Sequence, residues 1–303
     1  MAKFSEITLS DWSRAASASE EQRISNAISM IKEAVNNSDQ LKEKEIEIFV
    51  QGSYANNTNV RANSDIDICI MLKDTFSAKY PKGLTRGDYG FSASDYSFST
   101  FRSAVIKSLA DKFGNENITP GNKSIKINSN SYRIEADAVP CFQYRNYYHN
   151  DSKNPNDFIE GHKIYAQNDD DAISYPKQHI ENGKNKNVST QRRFKRTTRV
   201  LKKIRYHMID NGESVDRSIS SFLIECLLWN VPDDIFNEND THESRVKESI
   251  RYLYFKTKDH QDECKKWGEV SEILFLFSDN KKWNIDAVNQ FLGQMWNYLE
   301  FSD

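Results

Sequence analysis

The amino-acid sequence predicts an α+β fold in two lobes, a mixed sheet-and-helix lobe over 1–190 followed by a helical lobe over 191–303. Three observations lead there. At 303 residues the chain is long enough to bury a substantial core and suits two lobes around a cleft. Strand-like alternation of apolar and polar residues occurs only before Tyr144, whereas helical periodicity dominates from Phe194 onward. Between them, Tyr144 to Thr190 is rich in Asn, Asp, Lys and Gly with little periodicity and reads as a long functional loop.

In chain order, Ser19 to Asn36 reads as an amphipathic helix. Ile24, Ile28, Ile31 and Val35 form one stripe, and Glu20 and Glu21 occupy the first turn, where acids favour the helix dipole. This N-terminal helix is expected to pack along the helical lobe. Glu45 to Val50 alternates and then turns apolar, a strand running into Gln51-Gly52-Ser53. The polar stretch Tyr54 to Asn63 leads to a second strand, Asp65 to Leu72. It carries Ile66, Ile68, Ile70 and Leu72 on one face and Asp65, Asp67, Cys69 and Met71 on the other. Lys73 to Asp95 reads as loop, and Phe98, Phe101, Val105, Leu109 and Phe113 mark a helix. Lys123 to Asn128 and Tyr132 to Phe142 read as strands separated by the turn Ser129-Asn130-Ser131. In the second half Phe194, Thr198, Leu201, Ile204 and Met208 form a helical stripe. Ser218 to Trp229 is a buried helix ended by Pro232, and Glu243 to Phe255 and Ile285 to Leu299 supply more helices.

Hydrophobic residues at 38% and charged residues at 28% fit a soluble globular protein, and no apolar run approaches the roughly 18 residues of a membrane span. The N-terminus leads into polar sequence without the apolar core of a secretory signal, so a cytoplasmic location is expected. Cys69, Cys141, Cys226 and Cys264 show no C-x-x-C spacing and read as reduced core residues, neither disulfide-bonded nor metal-bound. The six histidines also lack ligand spacing, so no structural zinc is expected. The net charge of -3 conceals eight basic residues between Arg192 and Arg205. Such a run suits a helix beside a phosphate-binding cleft or a nucleic-acid-binding helix, and the absence of basic excess elsewhere favours the first.

Asp65 and Asp67 stand two apart on a predicted strand, so their carboxylates emerge on one face and can share hard cations. That spacing alone means little, since Asp169 and Asp171 share it in a polar loop. The preceding Gly52-Ser53 supplies the context: glycine permits close backbone approach, and the serine hydroxyl and amide can hold a phosphate oxygen. Eleven residues lie between Ser53 and Asp65, room for a short helix or turn that aims amides at a triphosphate before the chain returns as the neighbouring strand. Two-metal phosphoryl transfer needs a third carboxylate. Asp137, in the strand Tyr132 to Val139, is the candidate, with Glu135 on the same face as its rival. The constellation reads as a metal-dependent nucleotidyltransferase centre.

These motifs resemble the cGAS/DncV-like nucleotidyltransferases of bacteria, within the polymerase-beta-like superfamily. Gln51-Gly52-Ser53-Tyr54 with Asn56 to Arg61 and Ser64 to Asp67 matches the catalytic signature, and Ala136-Asp137 the third acidic position. Further likeness runs through Cys141 to Arg145, Ile159-Glu160-Gly161, Tyr175-Pro176-Lys177 to Gly183, Lys195 to Arg205 and Ser221 to Pro232, and is strongest to the clade E, CdnE-type branch. The resemblance implies a polymerase-beta-like core with the active site in the cleft before a helical lobe. It implies synthesis of a cyclic or short linear oligonucleotide signal from nucleoside triphosphates with release of pyrophosphate, in antiphage defence. Two Mg²⁺ or Mn²⁺ ions would be held by Asp65, Asp67 and Asp137. Lys202 would reach the donor triphosphate and Ser221 would add a hydroxyl to the same phosphates. In pyrimidine-using relatives an asparagine stands where this chain has Ser174. The shorter side chain leads to an expectation of purine substrates, ATP and GTP. Tyr54 and Tyr175 are candidates to stack on bases, with a core or surface role the favoured alternative for either. The resemblance further implies a bacterial, monomeric enzyme that needs no nucleic acid and signals to a downstream effector protein. A transferase acting on RNA ends or a small acceptor uses the same Gly-Ser and paired-Asp core and stands as an alternative, as does a non-catalytic nucleotide- or nucleic-acid-binding module.

Overall fold

The computed structural model describes residues 3–15, 18–60, 65–148, 153–168, 170–278 and 283–302. Ser64, Arg61 and Asp169, named above, lie outside them. In chain order the elements are α1 (Glu6–Trp12), α2 (Ala18–Asn36), β1 (Ile46–Gln51), α3 (Gly52–Ala55), β2 (Ile66–Lys79), α4 (Phe98–Phe113), β3 (Ile118–Pro120), β4 (Ile125–Ile127), β5 (Ala136–Asn146), β6 (Ile159–Ile164) and β7 (Ala172–Ser174). They continue with α5 (Pro176–Ser189), α6 (Arg193–Asp210), α7 (Ser221–Trp229), α8 (Asp233–Asn237), α9 (His242–Asp259), α10 (Gln261–Cys264) and α11 (Ile285–Tyr298). The described residues form two compact units. One takes Ser17–Ala55 and Arg61–Lys177; the other takes Met1–Ala16, Asn56–Val60 and Gln178–Asp303.

The first unit is a mixed sheet ordered β1-β2-β5-β4-β3, with β6 and β7 continuing beside β5. β2 and β5 run parallel and the other pairs run antiparallel. Strand alternation decides the two faces. Ile66, Ile68, Ile70 and Leu72 of β2, with Ala136 and Ala138 of β5, are buried in one cluster with Ile31 and Val35 of α2 and Phe101, Val105 and Leu109 of α4. The other face is left for Asp67, Cys69 and Met71. The helix of residues 18–36 therefore serves the sheet, and the N-terminal segment that joins the helical unit is the short α1, which packs on α6 and α9.

Two stretches differ from expectation. β2 continues to Lys79 through a register shift between Leu72 and Phe76, where a loop was expected. Most of 144–190 is also regular: the end of β5, then β6, β7 and α5. Their short lengths and half-buried polar residues give no periodic signal.

In the helical unit the predicted stripe of α6 is buried as Phe194, Leu201, Ile204 and Met208. Leu223, Ile224 and Leu227 of α7, Val246, Ile250 and Leu253 of α9 and Val288, Phe291 and Met295 of α11 complete the same core. No helix among the described residues is long and apolar enough to cross a membrane.

Candidate active site

Strand register brings four side chains of the sheet unit into one row. Gln51 on β1 pairs with Asp67 on β2, Asp67 with Asp137 on β5, and Asp137 with Lys126 on β4. Paired residues on adjacent strands point to the same face at a strand spacing of about 5 Å. Two carboxylates thus stand side by side, flanked by an amide and an ammonium. Burial pushes the Asp67 carboxyl up to about 6, with the charges of Asp137 and Asp65 adding to the shift. Asp65, one residue ahead of β2, is raised to about 6 by burial and by a side-chain hydrogen bond with Glu135. Lys126 holds Glu135 below the usual carboxylate range, its Nζ lying 2.6 Å from Glu135 Oε1. Of the two rival acids, Asp137 is the one in register with Asp67, and Glu135 is engaged by Lys126. Three acids crowded this closely favour either protonation or a bound cation.

Gly52 explains how the turn after β1 admits this arrangement. Its φ is 69°, a left-handed conformation that glycine adopts without penalty, and a Cβ built there would stand 2.3 Å from Asp67 Oδ2. The carboxylate fills the space that any other residue would need. Ser53 follows, half-buried on the single turn α3. Tyr54 donates its hydroxyl to Glu20 Oε1 at 2.6 Å, tying the turn to α2.

Farther along the same face, Ser174 on β7 stands opposite His162 on β6, its Oγ 2.7 Å from His162 Nε2. Its neighbour Tyr175 is 3% exposed, accepts a 3.0 Å hydrogen bond from Asn146 Nδ2 and packs edge-on against Tyr144. Burial raises its phenol to about 12. The ring is enclosed in this way as a core residue is, in keeping with the core reading of the two weighed for it.

Lys202, on α6, is enclosed within the helical unit. It is 2% exposed, and its Nζ lies 2.7 Å from Glu225 Oε2 and 3.0 Å from Thr58 Oγ1. Glu225 further accepts from Thr58 Oγ1 at 2.7 Å and sits 3.1 Å from His179 Nε2. The ammonium is thus neutralised within a buried network of the helical unit, where Glu225 is its counter-ion. Ser221 opens α7, but the cap is Ser220, whose side chain accepts from the Leu223 amide; the Ser221 hydroxyl lies 3.1 Å from Tyr206 Oη.

Sequence reasoning missed Lys126 and Lys177. Lys177 Nζ bridges Glu47 at 2.9 Å and Glu160 at 2.5 Å on the same side of the sheet unit. Lys126 comes into view only through the pairing of β4 with β5, and the role of Lys177, quoted above within Tyr175-Pro176-Lys177, only through Glu47 and Glu160, far off in sequence.

With this geometry established, likeness to known proteins becomes informative. The cGAS/DncV-like nucleotidyltransferase C-terminal helical domain model matches residues 181–300, and a nucleotidyltransferase domain model matches 28–119. The cyclic dipyrimidine nucleotide synthase CdnE of Cecembia lonarensis is 45% identical over 99% of this chain and 100% of its own length. A solved CdnE cyclic dinucleotide synthase of Elizabethkingia meningoseptica with GTP and Apcpp superposes with a TM-score of 0.81 at 33% identity, covering 99% of this chain and 100% of that one. The CdnE c-UMP-AMP synthase of Rhodothermus marinus with Apcpp and Upnpp gives 0.82 at 28% identity, covering 99% of each.

Proposed function

The chain belongs to the cGAS/DncV-like nucleotidyltransferases, and from that premise we propose that it is a cyclic dinucleotide synthase that uses purine nucleoside triphosphates and divalent cations. One observation carries the catalytic reading: Asp67 and Asp137 are in register across parallel strands, with Gly52 leaving room for the Asp67 carboxylate. The donor set fits hard cations. Asp65 and Asp67 are both raised to about 6 by burial and neighbouring acids, and two Mg²⁺ or Mn²⁺ ions held by Asp65, Asp67 and Asp137 would relieve that repulsion. When bound, such ions supply Lewis acidity at the α-phosphate and lower the pKa of the attacking hydroxyl. The 2′ or 3′ oxygen of one nucleotide forms the new bond to phosphorus, the bond to pyrophosphate breaks, and the hydroxyl proton is lost. A second round on the linear intermediate closes the ring. Asp65, Asp67 and Asp137 must be ionised for this, while Gln51 closes the row beside Asp67 and the Ser53 hydroxyl and amide hold a phosphate oxygen.

Ser174 supports the choice of purines. Its side chain is short and its hydroxyl is engaged by His162, so it presents neither the reach nor the amide of the asparagine that pyrimidine-using relatives carry there. A second reading has its own observation, since the relative at 45% identity is named for pyrimidine products. Incubation with each labelled triphosphate alone and in pairs, without nucleic acid, separates them by mass spectrometry of the phosphatase-resistant product. Cyclic product from ATP, GTP or both supports the purine reading; a requirement for UTP or CTP replaces it with the pyrimidine one. Labelled product only on added RNA or a small acceptor would remove the cyclase reading itself. By family resemblance the product would serve as an antiphage signal read by a separate effector protein.

A further inference from the structure

The face of the sheet that carries Asp67 holds a second cluster with different chemistry. Cys69 lies two residues beyond Asp67 on β2, and Cys141 on β5 stands opposite Met71, one rung farther along. Their Sγ atoms are 2.9 Å apart. His162 on β6 completes the group, with Nδ1 at 3.6 Å from Cys69 Sγ, and one ligand atom from each of the three residues falls within 4.8 Å of the others. All three are buried, at 0%, 0% and 1% exposure, and Phe49 stacks over the imidazole with ring centroids 6.4 Å apart.

We propose that Cys69, Cys141 and His162 form a binding site for a thiophilic cation of the zinc class, separate from the carboxylate centre. The ligand set is soft, two sulfurs and an imidazole, whereas the carboxylate row is all oxygen; the two sets select different metals. The imidazole is oriented as metal-binding histidines are. With the proton on Nε2, donated to Ser174 Oγ at 2.7 Å, the Nδ1 lone pair faces the thiols, the outer partner fixing tautomer and ring plane. One of the two recorded distances suits the ion as it stands. Zn–S bonds of about 2.3 Å and a Zn–N bond of about 2.0 Å at tetrahedral angles place sulfur and nitrogen roughly 3.5 Å apart and the two sulfurs roughly 3.8 Å apart. The Cys69–His162 separation of 3.6 Å already matches, and the sulfurs, 2.9 Å apart, would have to part by about 0.9 Å on loading. On loading, two S–Zn bonds form and each thiol releases its proton to solvent. A disulfide between the same cysteines would leave the Nδ1 lone pair unused, which is why the cation is the better account of all three residues. The ion would cross-link β2, β5 and β6, the strands that carry Asp67, Asp137 and the partner of Ser174.

The test loads metal-free full-length protein with Co²⁺ and reads the near-ultraviolet thiolate-to-cobalt charge-transfer band, alongside zinc content after incubation with Zn²⁺ and gel filtration. The expected result is one tightly held equivalent with a thiolate band in the wild type and in an Asp65→Asn/Asp67→Asn double variant. Cys69→Ser and Cys141→Ser should each abolish the band. His162→Gln, which leaves both thiols in place, should weaken zinc affinity, and Ser174→Ala should weaken it roughly 10–100-fold. Circular dichroism establishes that each variant is folded. A wild type that takes up no zinc, or a band that survives both cysteine substitutions, overturns the proposal. So does a Cys69–Cys141 disulfide in peptide maps of protein that binds no metal.

Discussion

Replacing Asp67 with asparagine should make the metal-free protein more stable at neutral pH while destroying the activity. In the folded chain burial, then Asp137 and Asp65, raise this carboxyl from 3.8 to about 6. The native state therefore holds its proton more tightly than the unfolded chain. The stabilisation linked to that proton is complete below about pH 4, fades between about 4 and 6, and is absent at pH 7.5, where a charged Asp67 opposes folding. A shift of about two pH units corresponds to about 3 kcal/mol at 1.36 kcal/mol per unit, and the small exposed fraction reduces it to roughly 2–3 kcal/mol. Asparagine keeps the shape and removes the charge, so at pH 7.5 in EDTA the variant should melt roughly 5–10 °C higher, given about 2–4 °C per kcal/mol for a unit of this size. At pH 4 the gain should vanish. Added Mg²⁺ should raise the melting temperature of the wild type and leave the variant nearly unchanged. Thermal unfolding by circular dichroism at both pH values, with and without Mg²⁺, measures all of these but activity, which a pyrophosphate-release assay follows. A variant that melts no higher than the wild type at pH 7.5 in EDTA would refute the claim that these acids repel one another in the empty centre.

Three further substitutions probe other parts of the argument. Gly52→Ala should abolish turnover with a stability loss of only about 1–2 kcal/mol, because its Cβ must displace the Asp67 carboxylate and adopt a left-handed backbone; urea unfolding and product assays separate the two effects. Lys202→Met leaves the Glu225 carboxylate buried without its ammonium and should cost about 3–5 kcal/mol in urea unfolding; a fully stable but inactive variant would refute that stabilising role and favour a contact of Lys202 with the triphosphate. Tyr175→Phe keeps the ring and should lose about 1 kcal/mol with the Asn146 hydrogen bond; an unchanged urea midpoint would refute that contribution.

What was legible in the sequence follows from where burial is periodic. β2 could be read because α2 and α4 cover one face with Ile66, Ile68, Ile70 and Leu72, which forces Asp67 to the other. β6 was not legible: Glu160, His162 and Lys163 form pairs with Lys177, Ser174 and Asp171 that mask the alternation of a buried strand. The same limit explains Lys202. In a run of eight basic residues any one looks solvated, yet Thr198, Arg199 and Lys202 all lie on the inward side of α6, where the partners of Lys202 are Thr58, far off in sequence, and Glu225. It explains the cysteines as well, because residues 69, 141 and 162 meet only through the parallel pairing of β2 with β5 and the antiparallel return of β6. A carboxylate pair such as Asp65 and Asp67 is legible because its members are neighbours in sequence, at the start of one strand. A buried polar group assembled across strands or helices is hidden, since each member, read alone, has the chemistry of a surface residue or of an inert core one.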